Sequence, residues 1–357
     1  PFAILDTVYD AVQKVLSASA SQVFPPLKLM WSVNNRPESG DRTTGAIGTS
    51  FYTFSALTGH RIYILGQANV DTDEYDRPVV AHEFGHYMQS AFSRDDSLGG
   101  AHAAGERLDM RVAFSEGWGN AWSGMALASQ YYTDSFGNGQ QLGVLVDLAA
   151  LPDAGDRGWY SERSVQYLMY QWHQNASIGF APIFNVLAAL PATLLADGAV
   201  SSIHHFAYRL KQAVPGQAGA IDTLLGQVSI NAASPLGVGE TNSGNIADAL
   251  PVYRTHTAAA GVAQNYCLND SAGIGASSEA NKLAAHLFIR VTLLASGNRV
   301  INVAATTGGV SSNPDFLLIR GDGAFFFFDT AGAGSESSGS VALAAGTHIV
   351  VLTDAAL

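Results

Sequence analysis

The feature that most constrains the fold of this chain is a change of pattern at about residue 255. Before it, long apolar patterns with helical spacing dominate; after it, short β-rich runs are separated by Gly, Ser, Asn and Asp. A chain of 357 residues also exceeds the size at which one hydrophobic core usually stops growing. We therefore expect an α+β domain at 1–255, with an N-terminal sheet and a mostly helical lobe, followed by an all-β sandwich at 256–357.

Composition excludes several classes of protein. Hydrophobic residues make up 47% of the chain and charged residues 13%, which is typical of a folded globular protein. The net charge of −12, without any block of like charges, argues against a nucleic-acid partner. Apolar stretches are too short or too interrupted to predict a membrane span. The single cysteine excludes an internal disulfide and a thiolate metal cluster.

The same composition suggests where the protein acts. Few charges and many Gly, Ser, Ala and Thr residues are typical of secreted bacterial proteins. The chain starts at a proline and contains no signal segment. We therefore expect a secreted or periplasmic protein whose targeting segment lies outside this sequence.

The first part of the chain has the pattern of a small sheet surrounded by helices. Its opening run, PFAILDTVYDAVQKVLSAS, places apolar side chains on one helical stripe. Strands are predicted for three runs bounded by turn residues, LKLMWSV, GTSFYTF and RIYILG. Further helices are predicted at 111–132 and in four later runs: SERSVQYLMYQWHQ, FAPIFNVLAALPATLL, SSIHHFAYRLKQAV and AIDTLLGQVSI.

A histidine pair follows the third predicted strand, in the run RPVVAHEFGHYMQSAF. Pro78 suits the first turn of a helix, so we expect this run to be helical. On one helix face, the imidazoles of His82 and His86 lie one turn apart and can bind a single ion. Glu83 then lies beside that ion, where it can accept a proton from an activated water. The alternative is a chance match on a surface helix.

Two protein ligands are fewer than the three of a usual catalytic zinc site. The third ligand is sought among Glu106, His102, Asp109 and Glu116. Glu116 is preferred because AFSEGWGNAW is itself helix-like, and a second helix packed across the first can deliver its carboxylate. A third histidine soon after the motif is excluded, because YMQSAFSRDD contains none. The alternative role for Glu116 is a helix N-terminal charge or a buried ion pair.

The run HEFGH, followed by SEGWGNAW, resembles the gluzincin metallopeptidases, the group of thermolysin and fungalysin. The EGW motif is closer to that of fungalysin, and the resemblance covers residues 62 to about 125. It implies a zincin-like catalytic domain in which His82, His86 and Glu116 bind Zn²⁺. It also implies that Glu83 polarises the attacking water.

The sequence departs from that family at one position beside the metal. Family members usually carry Asp four residues after the third ligand, where it accepts a hydrogen bond from a zinc-bound histidine. Here the position is Asn120, whose amide oxygen can still accept that bond. A neutral acceptor leaves the histidine less basic and the zinc more electrophilic. The separation between His86 and Glu116 is also longer than in thermolysin.

Enzymes of this group add a Tyr or His that stabilises the developing oxyanion. The predicted residues are Tyr160 and His173, in the run RGWYSERSVQYLMYQWHQ. His204 and His205 are further alternatives. Each of these side chains can instead have a structural role.

Two other runs of the sequence contain residues that could bind a ligand or a partner. The loop before the motif contains Asp71, Asp73, Glu74 and Asp76, which can bind Ca²⁺ through hard oxygen ligands. It lacks the glycine and distal glutamate of an EF-hand loop, and we expect a solvated loop whose acids favour the helix N-terminus. The run FFFF at 325–328 predicts a strand buried on both faces or touching the catalytic domain, whereas an exposed pair would be an interaction patch.

Together these observations predict a secreted zinc-dependent metallopeptidase, expected to be an endopeptidase, that acts on a peptide or protein substrate. By strand pattern and position, the C-terminal part resembles the pre-peptidase C-terminal domains of secreted bacterial proteases. One alternative is a non-catalytic adhesion or binding protein with a structural or decayed metal site. The other is a zinc hydrolase acting on a different amide or ester. Cleavage preference and oligomeric state are not predicted.

Overall fold

The structure, a computed structural model, describes residues 2–231, 234–257, 262–269, 280–306, 312–330 and 332–355. In these ranges the fold is mixed α+β, with its helices before residue 230 and a β-rich region after residue 253. The helices are α1 (Phe2–Ala18), α2 (Arg77–Phe92), α3 (Met110–Leu127), α4 (Glu162–Gln174), α5 (Phe180–Asp197), α6 (Ile203–Ala213) and α7 (Ala218–Gln227).

The strands of the first part form a three-stranded sheet and a hairpin. The sheet contains β1 (Leu27–Trp31), β2 (Phe51–Ser55) and β3 (Gly59–Ile64), in the order β1-β3-β2. β1 runs parallel and β2 antiparallel to the central strand β3, so β2 lies at an edge. The hairpin pairs β4 (Tyr131–Phe136) with β5 (Leu142–Asp147).

Small residues let α2 and α3 approach closely. A Cβ added to Gly85 of α2 would lie 3.2 Å from the Cα of Gly119 in α3. Trp118 fixes the crossing, because its Nε1 donates a hydrogen bond to the Gly85 carbonyl at 3.0 Å. On the far side of α3, a Cβ on Gly117 would lie 2.4 Å from the Cβ of Val165 in α4. The three helices therefore stack with α3 in the middle, buried along nearly all of its length.

The predicted helix over 111–132 is too long. α3 ends at Leu127, where Ala128 adopts a left-handed conformation with φ of 51° and the Ala128 N–H caps the Gly124 carbonyl. Glycine usually occupies such a position, so an alanine gave no stop signal. Residues from Tyr131 onward belong to β4, and the sequence pattern does not predict the β4–β5 hairpin.

The β-rich region is built on a five-stranded sheet of β6 (Tyr253–Thr257), β7 (Leu287–Leu293), β10 (Pro314–Ile319), β11 (Phe325–Phe328) and β14 (Gly346–Asp354). Their order in the sheet is β11-β10-β14-β7-β6. Residues from one face of this sheet, including Phe288, Ile349 and Val351, join the main hydrophobic core beside the helices. Residues such as Ile289 and Leu318 form a second, smaller core. The other strands of the region are β8 (Gly297–Arg299), β9 (Asn302–Ala304), β12 (Ser335–Ser337) and β13 (Val341–Leu343).

Two short ribbons, β12 with β9 and β13 with β8, complete the β-rich region as far as it is described. The β-rich pattern after residue 255 predicts strands in six short runs, and each of them contains one: HLFIRVTLL, RVINVAAT, DFLLIR, AFFFFDT, SVALAA and THIVVLTD. The division of the chain at 255/256 stays a prediction, and the first strand of the five-stranded sheet, β6, extends across it.

The expectation that the FFFF run is buried on both faces is wrong. β11 is an edge strand, and Phe325, Phe326 and Phe327 are exposed, the last by 78%. The other expectation, that this strand touches the first part of the chain, is met at one ring. The Arg94 guanidinium lies 5.2 Å from the centre of the Phe325 ring.

Among the described residues, one helix is long and apolar enough to cross a membrane by length and composition, α5. Its buried side chains, including Ile183, Leu187 and Leu190, belong to the main core. α5 also contacts α1, α4 and α6. The predicted absence of a membrane span stays a prediction.

Candidate metal centre

The side chains of His82, His86 and Glu116 converge on one point. His82 Nε2 lies 2.9 Å from His86 Nε2 and 3.2 Å from Glu116 Oε2, and His86 Nε2 lies 3.5 Å from the same oxygen. One ligand atom of each residue lies within 4.8 Å of the other two. Two helices deliver them, because α2 carries both histidines and α3 crosses it with the glutamate.

The hydrogen bonds of His82 fix its tautomer. Its Nδ1 lies 2.9 Å from Asn120 Oδ1, while the Asn120 amide nitrogen donates to Gln166 Oε1 at 3.0 Å. The oxygen of Asn120 can only accept, so the proton of a neutral His82 ring is on Nδ1. Nε2 is then a lone pair directed at the point of convergence.

His86 is arranged in the same way. Its Nδ1 lies 3.1 Å from Ser115 Oγ and 3.4 Å from Gln89 Oε1, and the Ser115 hydroxyl donates to Gln89 Oε1 at 2.8 Å. Because that hydroxyl hydrogen is already used, His86 Nδ1 is the donor toward the two oxygens. Its Nε2 therefore also presents a lone pair.

Two lone pairs and a carboxylate oxygen so close together repel one another unless a cation lies between them. All three side chains are largely buried, with 11% to 13% of each exposed, so water screens this repulsion poorly. A proton on an imidazole is the alternative to a metal cation. Burial opposes charge on both groups, but the Glu116 carboxylate raises the pKa of His86 to about 10, and the charged His86 in turn holds the Glu116 pKa well below its usual range. The donor set of two imidazole nitrogens and one carboxylate fits a divalent metal of the zinc type.

Glu83 lies beside this group but takes no part in it. Its Oε2 accepts a hydrogen bond from the backbone N–H of Tyr52 in β2 at 2.7 Å. Burial raises the Glu83 pKa above its ordinary value. The edge strand thus fixes one carboxylate oxygen, and in the described chain no protein donor is hydrogen-bonded to the other.

Gly119 leaves room for the His82 ring. A Cβ at this position would lie 2.8 to 2.9 Å from three ring atoms of His82. These distances are well inside van der Waals contact. The second glycine in SEGWGNAW, Gly119, is therefore required because the His82 imidazole passes across α3 at this position.

The centre opens into a cleft of about 1130 Å³. One wall is the edge strand β2 and another is the β4–β5 hairpin. Its lining includes polar side chains that the sequence pattern does not predict, among them Tyr132 and Asp134 from the hairpin and Glu162 from the first turn of α4. The Asn138-Gly139 pair between the two strands is a hairpin signal that could have located the first two.

Of the other residues considered as third ligand, His102 lies near the metal centre, whereas Glu106 and Asp109 are paired elsewhere. His102 does line the cleft, with Nε2 3.5 Å from Glu116 Oε2 and 3.4 Å from Glu162 Oε2. Glu106 instead pairs with Lys282 at 3.0 Å. Asp109 accepts two hydrogen bonds from the Arg111 guanidinium, each 2.9 Å long.

The residues predicted to stabilise an oxyanion lie elsewhere. The Tyr160 hydroxyl donates to the Arg157 carbonyl or Asn242 Oδ1, at 3.1 and 3.0 Å. His173 packs against the rings of Tyr170 and Phe180. Neither lines the cleft. Both predictions are therefore corrected, because the chain before α4 and the last turn of α4 turn these side chains into other networks.

The two alternatives to them are also held in buried pairs. His204 Nε2 lies 3.1 Å from Glu240 Oε2, and His205 Nε2 lies 3.1 Å from Asp197 Oδ2. Both histidines are buried, and neither lines the cleft.

The acidic loop before α2 is not solvated as expected. Asp73, Glu74 and Asp76 are buried. Asp76 accepts hydrogen bonds from the backbone N–H and hydroxyl of Ser135, about 3.0 Å long, and makes no side-chain cap to α2. A second group of possible metal ligands forms instead from Asp71, Asp73 and, from the hairpin, Asp134.

Comparisons of the chain with protein-family models, curated proteins and solved structures found no match. The functional argument therefore depends on the geometry of the site.

Proposed function

We propose that this protein is a secreted zinc-dependent metallopeptidase of the gluzincin type. The observation that carries the proposal is the convergence of His82 Nε2, His86 Nε2 and Glu116 Oε2 beside the buried carboxylate of Glu83. Two metal-binding histidines and a base on one helix, with a third ligand from a second helix, match the requirements of metal-assisted hydrolysis.

The residues that would hold the metal are His82, His86 and Glu116. Zinc bound there would act as a Lewis acid and lower the pKa of a water molecule toward neutrality. Asn120 and Ser115 orient the two imidazoles through Nδ1, which keeps both Nε2 atoms directed at the metal position.

Glu83 acts as general base and then as general acid. Its carboxylate takes a proton from the attacking water and later gives it to the leaving amine. The Tyr52 N–H holds Oε2 in place, so Oε1 is the oxygen that exchanges the proton. Burial raises the Glu83 pKa, which strengthens it as a base near neutral pH.

The edge strand β2 favours a peptide over other amides and esters. Phe51, Tyr52, Thr53 and Phe54 line the cleft, and β2 has a hydrogen-bonded neighbour on only one side. The Tyr52 N–H points away from β3 toward Glu83, so alternate backbone groups of β2 face the cleft. An extended peptide can pair with these groups and bring a carbonyl carbon to the metal.

The finer fold assignment belongs to this proposal. A sheet whose edge borders the cleft, above two crossing helices, supports a zincin-like catalytic domain. The five-stranded sheet and its two ribbons, with a small core between them, support a β-sandwich in the C-terminal region.

The alternative function, a binding protein with a decayed metal site, is suggested by Asn120, which stands where the resembling family usually has Asp. That residue still makes the hydrogen bond to His82 Nδ1 that an aspartate would make, at 2.9 Å. The buried Glu83 carboxylate also has no role in a purely structural metal site. Both features favour the enzyme.

The test compares wild type with Glu83→Gln on denatured casein, together with the zinc content of each protein. We expect the variant to keep its zinc and to lose at least about two orders of magnitude in turnover. Glu38→Gln, at an exposed glutamate that does not line the cleft, serves as the matched control and should cleave like wild type. Cleavage by Glu83→Gln at the wild-type rate would remove Glu83 from the mechanism. If zinc-loaded wild type cleaves no protein or peptide, the proposal that the protein is a peptidase is refuted.

A further inference from the structure

Three aspartates form a second cluster on the wall of the cleft. Asp71 and Asp73 lie in the loop before α2, and Asp134 lies in β4. One oxygen of each carboxyl group lies within 4.8 Å of the other two. Only 3% of Asp73 is exposed, although the side chain borders the cleft.

The cluster has oxygen atoms without partners. Oδ1 of each of the three aspartates is buried and has no hydrogen-bond partner among the described residues. The side chains of Asp71 and Asp73 are hydrogen-bonded to each other, which requires a proton on one of them where no cation is bound. Asp73 Oδ2, by contrast, accepts a short hydrogen bond from the Ser50 hydroxyl. A buried acceptor without a partner is costly, so the Asp73 Oδ1 atom indicates a missing ligand.

The cluster also lacks a compensating charge. In the part of the chain that the structure describes, no Lys, Arg or His forms an ion pair with any of the three carboxyl groups. Burial, together with neighbouring aspartates, raises the pKa of Asp73 to about 9 and that of Asp134 to about 6. A bound cation would relieve this repulsion.

The surrounding backbone holds the cluster in place by other contacts. Gly137 N donates to the Val70 carbonyl at 2.7 Å, and Asp71 forms an isolated β-bridge with Phe136. The Gln140 amide donates to the Thr72 hydroxyl, between the two loop aspartates. Loop and hairpin are therefore fixed together independently of the carboxylates, which leaves the aspartates preorganised for a ligand.

We propose that Asp71, Asp73 and Asp134 bind one calcium ion. Calcium takes oxygen ligands at 2.3–2.6 Å, so two oxygens on one ion are separated by at most about 5 Å, as in this cluster. An all-oxygen set favours calcium over zinc, which suits the nitrogen-containing set at the histidines. Gln140 Oε1, buried and without a partner, is a neutral oxygen on the adjoining turn.

The ion would join the loop before the metal-binding helix to the hairpin that carries Tyr132. Both structures line the cleft. The calcium site thus stabilises one wall of the cleft and is separate from the proposed catalytic centre. It goes beyond the proposed function and does not depend on it.

The test is calorimetric titration of calcium chloride into zinc-loaded, calcium-free protein. We expect one calcium per chain, with a dissociation constant of about 1 mM or lower. Asp134→Ala should weaken binding at least tenfold and leave the zinc content unchanged. Asp153→Ala removes the same charge at an exposed position and should bind like wild type.

Absence of calcium binding to wild type at 10 mM, roughly ten times the expected upper limit, would overturn the proposal. So would equal binding by wild type and Asp134→Ala. If circular dichroism shows that Asp134→Ala is unfolded, Asp71→Ala replaces it under the same criteria. A preference for lysine-containing peptides without calcium binding would instead assign the carboxylates to a substrate ammonium group. Because calcium binding is measured directly, loss of peptidase activity does not affect the result.

Discussion

At the scale of single residues, the His82 imidazole is held from two directions. Asn120 accepts a hydrogen bond from Nδ1, and Gly119 leaves the space that the ring occupies. The sequence predicted the Asn120 contact, because the position follows the third ligand by one helical turn. It gave no reason for Gly119, since the need for a missing side chain appears only when α2 and α3 cross.

Replacement of Gly119 by alanine should damage the metal centre. The new Cβ would lie 2.8 to 2.9 Å from the His82 ring and force that ring away from His86 and Glu116. We expect zinc affinity to fall at least about tenfold, measured by competition with a chromogenic chelator. Gly226→Ala, in helix α7 with open space around it, is the matched control. Equal affinities for the two variants would show that this contact does not position His82.

At the scale of elements, the helices of the site were predictable and the hairpin was not. The motif helix and the EGWGNAW helix have clear patterns, and both exist. The hairpin strands leave Leu142, Val144 and Leu145 exposed, so their pattern does not alternate cleanly between two faces. The helical spacing of α3 was also continued into β4, because Ala128 replaced the expected glycine stop.

Tyr160, in the segment before α4, should contribute to stability and not to catalysis. Tyr160→Phe removes a hydroxyl that bonds to Asn242 Oδ1 and the Arg157 carbonyl. We expect the free energy of unfolding to fall by about 1 kcal/mol, from denaturant titration. The value of kcat/KM on a peptide substrate should stay within about twofold of wild type, since this side chain is outside the cleft. A large loss of kcat with unchanged stability would return Tyr160 to the mechanism.

At the scale of the whole molecule, the helical part and the β-rich region share one core. The shift from helical spacing to short strands near residue 255 predicted the two kinds of structure, but no local pattern reveals that they pack together. At their junction, Arg111 of α3 pairs with Asp109, and His286 Nδ1 lies 3.4 Å from the same aspartate. The contact of His286 with Asp109 joins residues that are far apart in sequence.

The junction should make stability depend on pH. Burial, with help from Arg111, lowers the pKa of His286 to about 4. In the unfolded chain a histidine has a pKa of about 6.5. Between pH 4 and 6.5 the unfolded state therefore binds the proton more readily than the folded state. The free energy of unfolding should therefore fall as the pH falls from 6.5 to 4, by up to about 3 kcal/mol from this group.

His286→Gln removes that contribution, so its stability should change less than that of wild type over the same interval. Denaturant titrations at several pH values measure the difference. Identical pH profiles for the two proteins would contradict the assignment of this acid sensitivity to His286.

The central claim is that two imidazoles and one carboxylate, from two crossing helices, bind a single metal ion. Anomalous X-ray scattering from crystals of the zinc-loaded protein, recorded on both sides of the zinc absorption edge, tests it most directly. The account predicts one strong zinc peak about 2 Å from His82 Nε2, His86 Nε2 and an oxygen of Glu116. A zinc peak located elsewhere, or no zinc peak at these three side chains, would contradict it.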